Sequence, residues 1–357
     1  MKSMEDFMKK ILMSVLLSTA VVFTVITAGC QRSAQAELKP FRLGHLNSTA
    51  HLLAFVAQEE GFFKQEGLAA ELTQFASAWE LAAGLESGKF DAAFIGSVPT
   101  IMLQATGHDL TIFGGAMTNG HGYVIKSNLV PGSFKEGDIS ILRGKNIASV
   151  KNSIQDYELL VLLKGAGLTP GVDLNVVYFA NQMEAYNALQ NQEIDAASVY
   201  SPYASRAKDE SYTVVYYCNE KDEFKDQPCC RQVALTVALE TNPALFQAAE
   251  RALIRAYKFS QENPSKTIDD VIKYIPLKRE LVEYEVYGGH SVSHPDPDKQ
   301  STITLARGII EFGYTNDYNI ELLYDTAIYK AALADLIEAN PQDGIYAQLQ
   351  DHLNHNE

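Results

Sequence analysis

A chain of 357 residues, 46% hydrophobic and 20% charged, has enough apolar material for one large or two ordinary folded units, which rules out a disordered or collagen-like chain. Its 29 Lys+Arg stand against 44 Asp+Glu, a formal charge of −15, and it holds no basic run of any length. That balance argues against nucleic acid as a partner, because affinity for phosphate backbones comes mainly from clustered Lys and Arg.

Residues 11–26 form an apolar block with Lys9-Lys10 before it and small residues after it, the layout of an export signal and too short for a comfortable membrane span. Glu5 and Asp6 dilute the basic segment of a chain started at Met1, whereas a start at Met8 puts Met-Lys-Lys directly before the block. Thr27-Ala28-Gly29-Cys30 resembles the lipobox of bacterial lipoproteins, in which small residues admit the peptidase to the bond before a lipid-bearing Cys. Residues 1–29 therefore read as a lipoprotein signal peptide, Cys30 as the lipidation site and membrane contact, and residues 30–40 as a tether. Removing 29 residues from 357 leaves 328. An ordinary secretory signal cleaved near Ala34-Gln35-Ala36 is the alternative, and both readings export the chain to the periplasm or the cell exterior.

Beyond residue 40, short apolar runs alternate with helical stretches, the signature of α/β units. Phe41–Gly44 reads as a strand. His51–Glu60 reads as a helix with Leu52, Leu53, Val56 and Ala57 on one face, ending at Gly61. Then come a strand at Leu68–Phe75, a helix at Glu80–Glu86, a strand at Ala92–Gly96, a helix at Pro99–Ala105 with Pro in its first turn, and strands at Thr111–Phe113 and Tyr123–Ile125. A second run repeats the pattern, with strands at Ile147–Val150, Val176–Phe179, Ala196–Tyr200 and Thr213–Tyr217 and helices at Asp156–Lys164 and Glu184–Gln190. Val233–Leu239 reads as a further strand, Pro243–Ser260 as a long helix, and 264–275, 278–285, 297–313 and 328–338 as helices clothing lobes already built.

Five stretches in order carry a resemblance. Ala57-Gln58-Glu59-Glu60-Gly61-Phe62-Phe63-Lys64-Gln65-Glu66-Gly67-Leu68 and Gly88-Lys89-Phe90-Asp91-Ala92-Ala93-Phe94-Ile95-Gly96-Ser97-Val98-Pro99 are the longest. Gly144–Ala148, Lys164–Leu168 and Asp195–Tyr203 follow. Together these resemble the nitrate/sulfonate/taurine-type substrate-binding proteins of ABC importers, a family that also contains pyrimidine-precursor binders of thiamine biosynthesis. The resemblance implies an α/β, two-lobed periplasmic-binding-protein type II fold with a ligand cleft between the lobes. Lobe 1 would comprise 41–122, lobe 2 123–235, and 236–357 the return crossing and a helical tail packed on lobe 1. Tyr123–Lys126 and Val233–Glu240 would be the two crossings.

Ligands of open α/β sheets bind beyond the carboxyl ends of strands, where helix N-termini offer free N–H groups. Four such loops supply candidates. The first holds His45, Asn47, Ser48 and Thr49, of which the last three serve equally well as helix caps. The second holds Ser77 and the single Trp, Trp79, as core or as a pocket wall; the third Gly96 and Ser97; the fourth Asn152 and Ser153. Tyr200-Ser201-Pro202-Tyr203 adds Tyr200 and Tyr203 but has Ser201 where many relatives carry an acidic residue, which weakens a carry-over of taurine. His121 sits at the first crossing beside Gly120 and Gly122, and Arg231 at the return crossing is a candidate anion clamp.

After Cys30 an odd set of thiols remains, and Cys218 with Cys229 or Cys230 would close a loop of about a dozen residues, worth about 2–4 kcal/mol. The spacings of His290/His294 and His352/His355 suggest metal ligands, but glycines and Pro295 interrupt the first pair and the second lies in a polar tail, so no metal and no cofactor is expected. The function these readings support is a non-catalytic, monomeric receptor that hands a small polar or anionic solute (a sulfonate, a nitrate-like anion or a pyrimidine-type compound) to an ABC permease with its ATPase. An exported enzyme of the pyrimidine-synthase-like branch, or a sensor reusing the fold, is the alternative.

Overall fold

Five-residue apolar runs such as Ala92–Gly96 are too short for helices and too apolar for loops, and they become the buried strands of two separate sheets. The computed structural model describes Met4, residues 37–319, 321 and 324–356. Apart from Met4, the signal-peptide and lipobox residues, Cys30 among them, lie outside the described residues.

The first run comprises β1 (Lys39–Leu46), α1 (Leu52–Glu59), α2 (Phe62–Gln65), β2 (Leu68–Phe75), α3 (Ala78–Glu86), β3 (Ala92–Gly96), α4 (Ser97–Ala105) and β4 (Leu110–Asn119). The second comprises β5 (His121–Lys126), β6 (Asn146–Val150), α5 (Ile154–Gly165), β7 (Asn175–Phe179), α6 (Gln182–Gln190), β8 (Ala196–Tyr200), α7 (Tyr203–Asp209) and β9 (Tyr212–Tyr217). The remainder comprises β10 (Pro228–Leu235), α8 (Thr236–Thr241), α9 (Pro243–Glu262), α10 (Pro264–Val271), α11 (Arg279–Tyr287), β11 (Ser291–Ser293), α12 (Lys299–Glu311), α13 (Ala327–Ala339) and α14 (Gly344–His355).

One sheet runs β11-β4-β10-β3-β1-β2 and the other β7-β6-β8-β5-β9. In the first, β1, β2 and β3 are parallel and β10 runs antiparallel between β3 and β4; in the second, β6, β7 and β8 are parallel and β5 is antiparallel to β8. The first sheet is covered on both faces. Phe41, Phe94 and Phe113 pack against Phe55, Phe246 and Leu253 on one side, while Ala93, Ile95 and Ile112 meet Leu81, Val98 and Ile309 on the other. Helix α9 binds to this lobe through Phe246, Ala249, Leu253 and Ala256, spaced three and four apart on a single buried stripe.

The chain changes sheets at two places, the first at the Gly120–His121 step that sequence reading sets beside a crossing and the second away from the expected Val233–Glu240. It leaves the first sheet at Asn119 and enters the second at His121, with only Gly120, at φ 84°, between them. It returns between Tyr217 and Pro228. Tyr123–Lys126 instead lies inside β5, hydrogen-bonded to β8 and β9, and Val233–Glu240 spans the end of β10 and α8. The second sheet therefore covers 121–217 rather than 123–235. Alternation of apolar residues marks a strand without saying which sheet it joins, and the opening of β10, Pro-Cys-Cys-Arg-Gln, hides it from a propensity reading. Helix α14 also escapes the sequence reading as a polar tail; Tyr346, Leu349 and Leu353 supply its sparse buried stripe against Tyr329 and Leu333.

Two buried features hold the back of the first sheet. At Gly115 a Cβ would lie 2.0 Å from the carbonyl oxygen of Asp296, so only glycine lets the 294–298 segment lie against β4. Glu250 on α9 is wholly buried; its Oε1 accepts from Gln232 Nε2 at 3.3 Å and its Oε2 has no partner. Burial pushes its carboxyl well above the ordinary value of 4.5. Such an acid binds more protons folded than unfolded, so its stabilising contribution is complete below the ordinary value and is lost as pH rises from there towards the raised one. Glu250→Gln is therefore expected to flatten the fall in stability between about pH 5 and 8. Urea midpoints across that range are the measurement, and a slope equal to the wild type's would refute the assignment.

Candidate functional site

The carboxyl ends of the parallel strands of both sheets face one half-open cavity of about 60 Å³. From the first lobe come Leu46 at the end of β1, Ala76–Trp79 between β2 and α3, Gly96 and Pro99 at the start of α4, and Cys229 and Cys230 on β10. From the second come His121 on β5, Val150 and Ser153–Gln155 at the start of α5, Asn181 and Gln182 at the start of α6, and Tyr200 at the end of β8. An outer space of about 410 Å³ shares Ala76, Asn181 and Tyr200 with it and is bounded further by Asn47, Gln74, Phe75, Glu80, Met183 and Tyr203.

Four helices begin at the inner cavity. Ser77 caps α3 by accepting from the Glu80 N–H, Ser153 caps α5 through the Asp156 N–H, Asn181 caps α6 through the Glu184 N–H, and Gly96 opens α4. Their positive dipole ends and unpaired N–H groups converge from both lobes. No lysine or arginine lines either space among the described residues.

A chain of polar contacts fixes the second lobe's wall. Ser198 Oγ donates to Ser149 Oγ at 2.9 Å, Ser149 Oγ to Asp156 Oδ1 at 3.1 Å, and the Asn152 N–H to Asp156 Oδ2 at 3.0 Å, with Asn152 itself in the left-handed region. Burial pushes the Asp156 carboxyl upward against these donors. Gln155 Nε2 donates to Gln182 Oε1 at 3.1 Å and Gln182 Nε2 to the Ser198 carbonyl at 3.2 Å, so both amides are held in one orientation. His121 and Glu158 are both buried, His121 Nδ1 lies 3.2 Å from Glu158 Oε1, and His121 Nε2 has no partner.

The lobes also touch at the rim. Ser48 Oγ donates to the Ser201 carbonyl at 2.9 Å, and Thr49 Oγ1 shares a hydrogen bond with Ser201 Oγ. Ser48 additionally caps the turn that precedes α1.

Of the residues expected from sequence, Ser77, Trp79, Gly96, His121, Ser153 and Tyr200 line the inner cavity and Asn47 and Tyr203 the outer one. Ser48 and Thr49 lie on the interlobe seam. Four others lie elsewhere. His45 packs against Phe55 and Tyr274, donates from Nδ1 to the Leu46 carbonyl, and is pushed down to about 4 by burial, which keeps it neutral. Ser97 is buried under the first turn of α4, and Asn152 braces Asp156. Arg231 is no anion clamp. Its guanidinium, almost wholly buried, donates to the carbonyls of Pro297, Met117 and Cys230 and lies 3.6 Å from Asp298, on the side of β10 away from the cavity.

The expected bridge between Cys218 and either later cysteine is likewise absent: all three thiols are free. Cys218 belongs to the core of the second lobe with Tyr123 and Val215, whereas Cys229 and Cys230 sit on a strand of the first. Sequence reasoning missed Asn181 and Gln182, although the strand-to-helix step after Phe179 obeys the same rule that found Ser153, whose loop also carries Gln155. It also missed the thiol pair as cavity lining, because neighbours in a strand ordinarily face opposite sides.

Residues 34–275 match the family model described as the NMT1-like family. A putative aliphatic sulfonates-binding protein of Bacillus subtilis is 30% identical over 196 residues, 52% of this chain and 56% of the relative's length. Among solved structures, the periplasmic aliphatic sulphonate binding protein SsuA from Escherichia coli superposes with a TM-score of 0.66 at 18% identity, over 82% of this chain and 99% of that one. The periplasmic nitrate-binding protein NrtA from Synechocystis PCC 6803 does so with 0.71 at 16%, over 86% and 92%. These likenesses show the two-lobed periplasmic-binding-protein fold.

Proposed function

The chain belongs to the NMT1-like family, and on that premise we propose that it is the solute receptor of an ABC importer, capturing a small anionic or polar molecule between its lobes and presenting it to the permease and its ATPase. The observation that carries this reading is the convergence of four helix N-termini from two lobes on one interlobe pocket without a lysine or arginine. Neutral N–H donors at helix ends hold an anion without a buried cation that would need compensation when the site is empty. The small inner volume and the flanking Trp79 and Tyr200 suit a sulfonate, a nitrate-like anion or a compact planar compound of the pyrimidine type.

A solute bridging both lobes adds its contacts to those of Ser48 and Thr49 with Ser201, which already join the lobes at the rim, and so favours the closed arrangement. In this reading the receptor is an exported monomer, held at the membrane by lipid on Cys30 and shielding its cargo until it docks.

A thermal-shift panel of inorganic anions, alkanesulfonates and pyrimidines tests the ligand class. One member should stabilise the chain by about 2.7 kcal/mol at about a hundredfold excess over its dissociation constant. Silence across all three classes would reject it.

A further inference from the structure

Cys229 and Cys230 are adjacent in a strand yet point the same way. Pro228 lies opposite Thr118 and Cys230 opposite Met117, so Cys229 is an extra residue bulged from the β10–β4 ladder. The bulge brings both sulfurs to the cavity wall with 3.1 Å between them. Two imidazoles attend the pair. Leu46 N–H donates to His51 Nδ1 at 3.0 Å, which leaves the His51 proton on Nε2; His121 comes from the opposite lobe with its Nδ1 turned to Glu158. Both Nε2 atoms are buried without a hydrogen-bond partner. The Cys229 S–H, with help from these imidazoles, pulls the Cys230 thiol down, while Cys229 as the donor is pushed up.

The pair is poorly made for closing on itself. Neighbouring Cα atoms are about 3.8 Å apart, short of the roughly 4.4–6.8 Å that a disulfide spans. Two thiols therefore persist side by side where well-spaced cysteines would join. A guest that bridges both sulfurs through a third atom meets no such obstacle. The two imidazoles stand near the pair, but among the described residues no three His, Cys, Asp or Glu side chains are grouped closely enough to hold a metal ion.

We propose that Cys229 and Cys230 form a dithiol site for thiophilic trivalent arsenicals, reached through the interlobe cleft. An organoarsenic(III) oxide reacts as R–As=O plus two thiols to give R–As(S)₂ and one water. Two As–S bonds form, both bonds to oxygen break, the thiol protons leave with that oxygen, and no oxidation state changes. Each sulfur forms one of the two bonds, and the second closes the chelate. The organic group then lies among Leu46, Trp79 and Tyr200.

The test treats the reduced full chain with arsenite and, separately, phenylarsine oxide, and reads intact mass. One arsenic per chain is expected, retained in excess monothiol and removed by a dithiol. Cys218→Ser should keep that adduct, and Cys229→Ser and Cys230→Ser should each lose its monothiol resistance while their melting curves remain cooperative and close to wild type. A resistant adduct in either of those two variants overturns the site, and so does failure of the wild type to take up either arsenical. The readout needs no transported solute, so it stands or falls apart from the importer reading.

Discussion

Replacing Trp79 with alanine is expected to weaken solute binding by about 30-fold or more while leaving the unfolding midpoint almost unchanged. The indole sits in the first turn of α3, two residues after the capping Ser77, half-buried on the inner cavity with Tyr200 coming from the other lobe. In an open cleft its face is wet, so the apolar area it removes from water is gained on closure around a solute rather than on folding. A central aromatic anchor of this kind contributes about 2 kcal/mol or more to binding, and each 1.4 kcal/mol is about a factor of ten. Calorimetric titration with whichever solute emerges from the thermal-shift panel measures the effect, with a urea melt as the control for folding. Affinity within about twofold of wild type would remove Trp79 from the binding surface.

The second large effect concerns stability. His121→Ala should cost about 3–5 kcal/mol, because it leaves Glu158 as a buried carboxyl without its partner. Glu158 already has one oxygen unsatisfied, and its neighbourhood of Tyr123, Tyr216 and Cys218 offers no basic group in exchange. Replacing both partners, His121→Leu with Glu158→Leu, should recover much of that loss, since an apolar pair of similar volume leaves nothing orphaned. The urea midpoint of the single variant is the decisive number. If it stays within about 0.5 kcal/mol of wild type, the pair carries no structural role, and the surface-mutation range describes it instead.

Much of this architecture is legible in the sequence because its strands are short and buried on both faces. Ala92–Gly96, Ile147–Val150 and Ala196–Tyr200 each stand out as an apolar run closed by a polar turn, and each is followed or preceded by a helix with recognisable caps. The site is legible where the rule is local. A serine or asparagine at the carboxyl end of a parallel strand caps the next helix, and that alone brings Ser77, Ser153 and Asn181 to the cavity. What is not local stays hidden. Arg231 and Cys230 are neighbours with opposite fates because the pleat sends one into the cavity and the other beneath Pro297. Cys229 joins Cys230 only through a bulge fixed by pairing with a strand more than a hundred residues earlier. His45, adjacent in sequence to good candidates, faces the core because the end of β1 turns it there.

The position of β10 also imposes an order on assembly. β3 and β4 follow one another in the chain but are not hydrogen-bonded to each other; the space between them is filled by residues 228–235. Until those residues have been synthesised, the first sheet exists only as separate pieces with bare edges at its centre, whereas β5 to β9 already contain a complete sheet between residues 121 and 217. Closing the first sheet then requires contacts across more than a hundred residues, the kind that slow folding. A chain with this topology can complete its second sheet while the first still waits for residues 228–235.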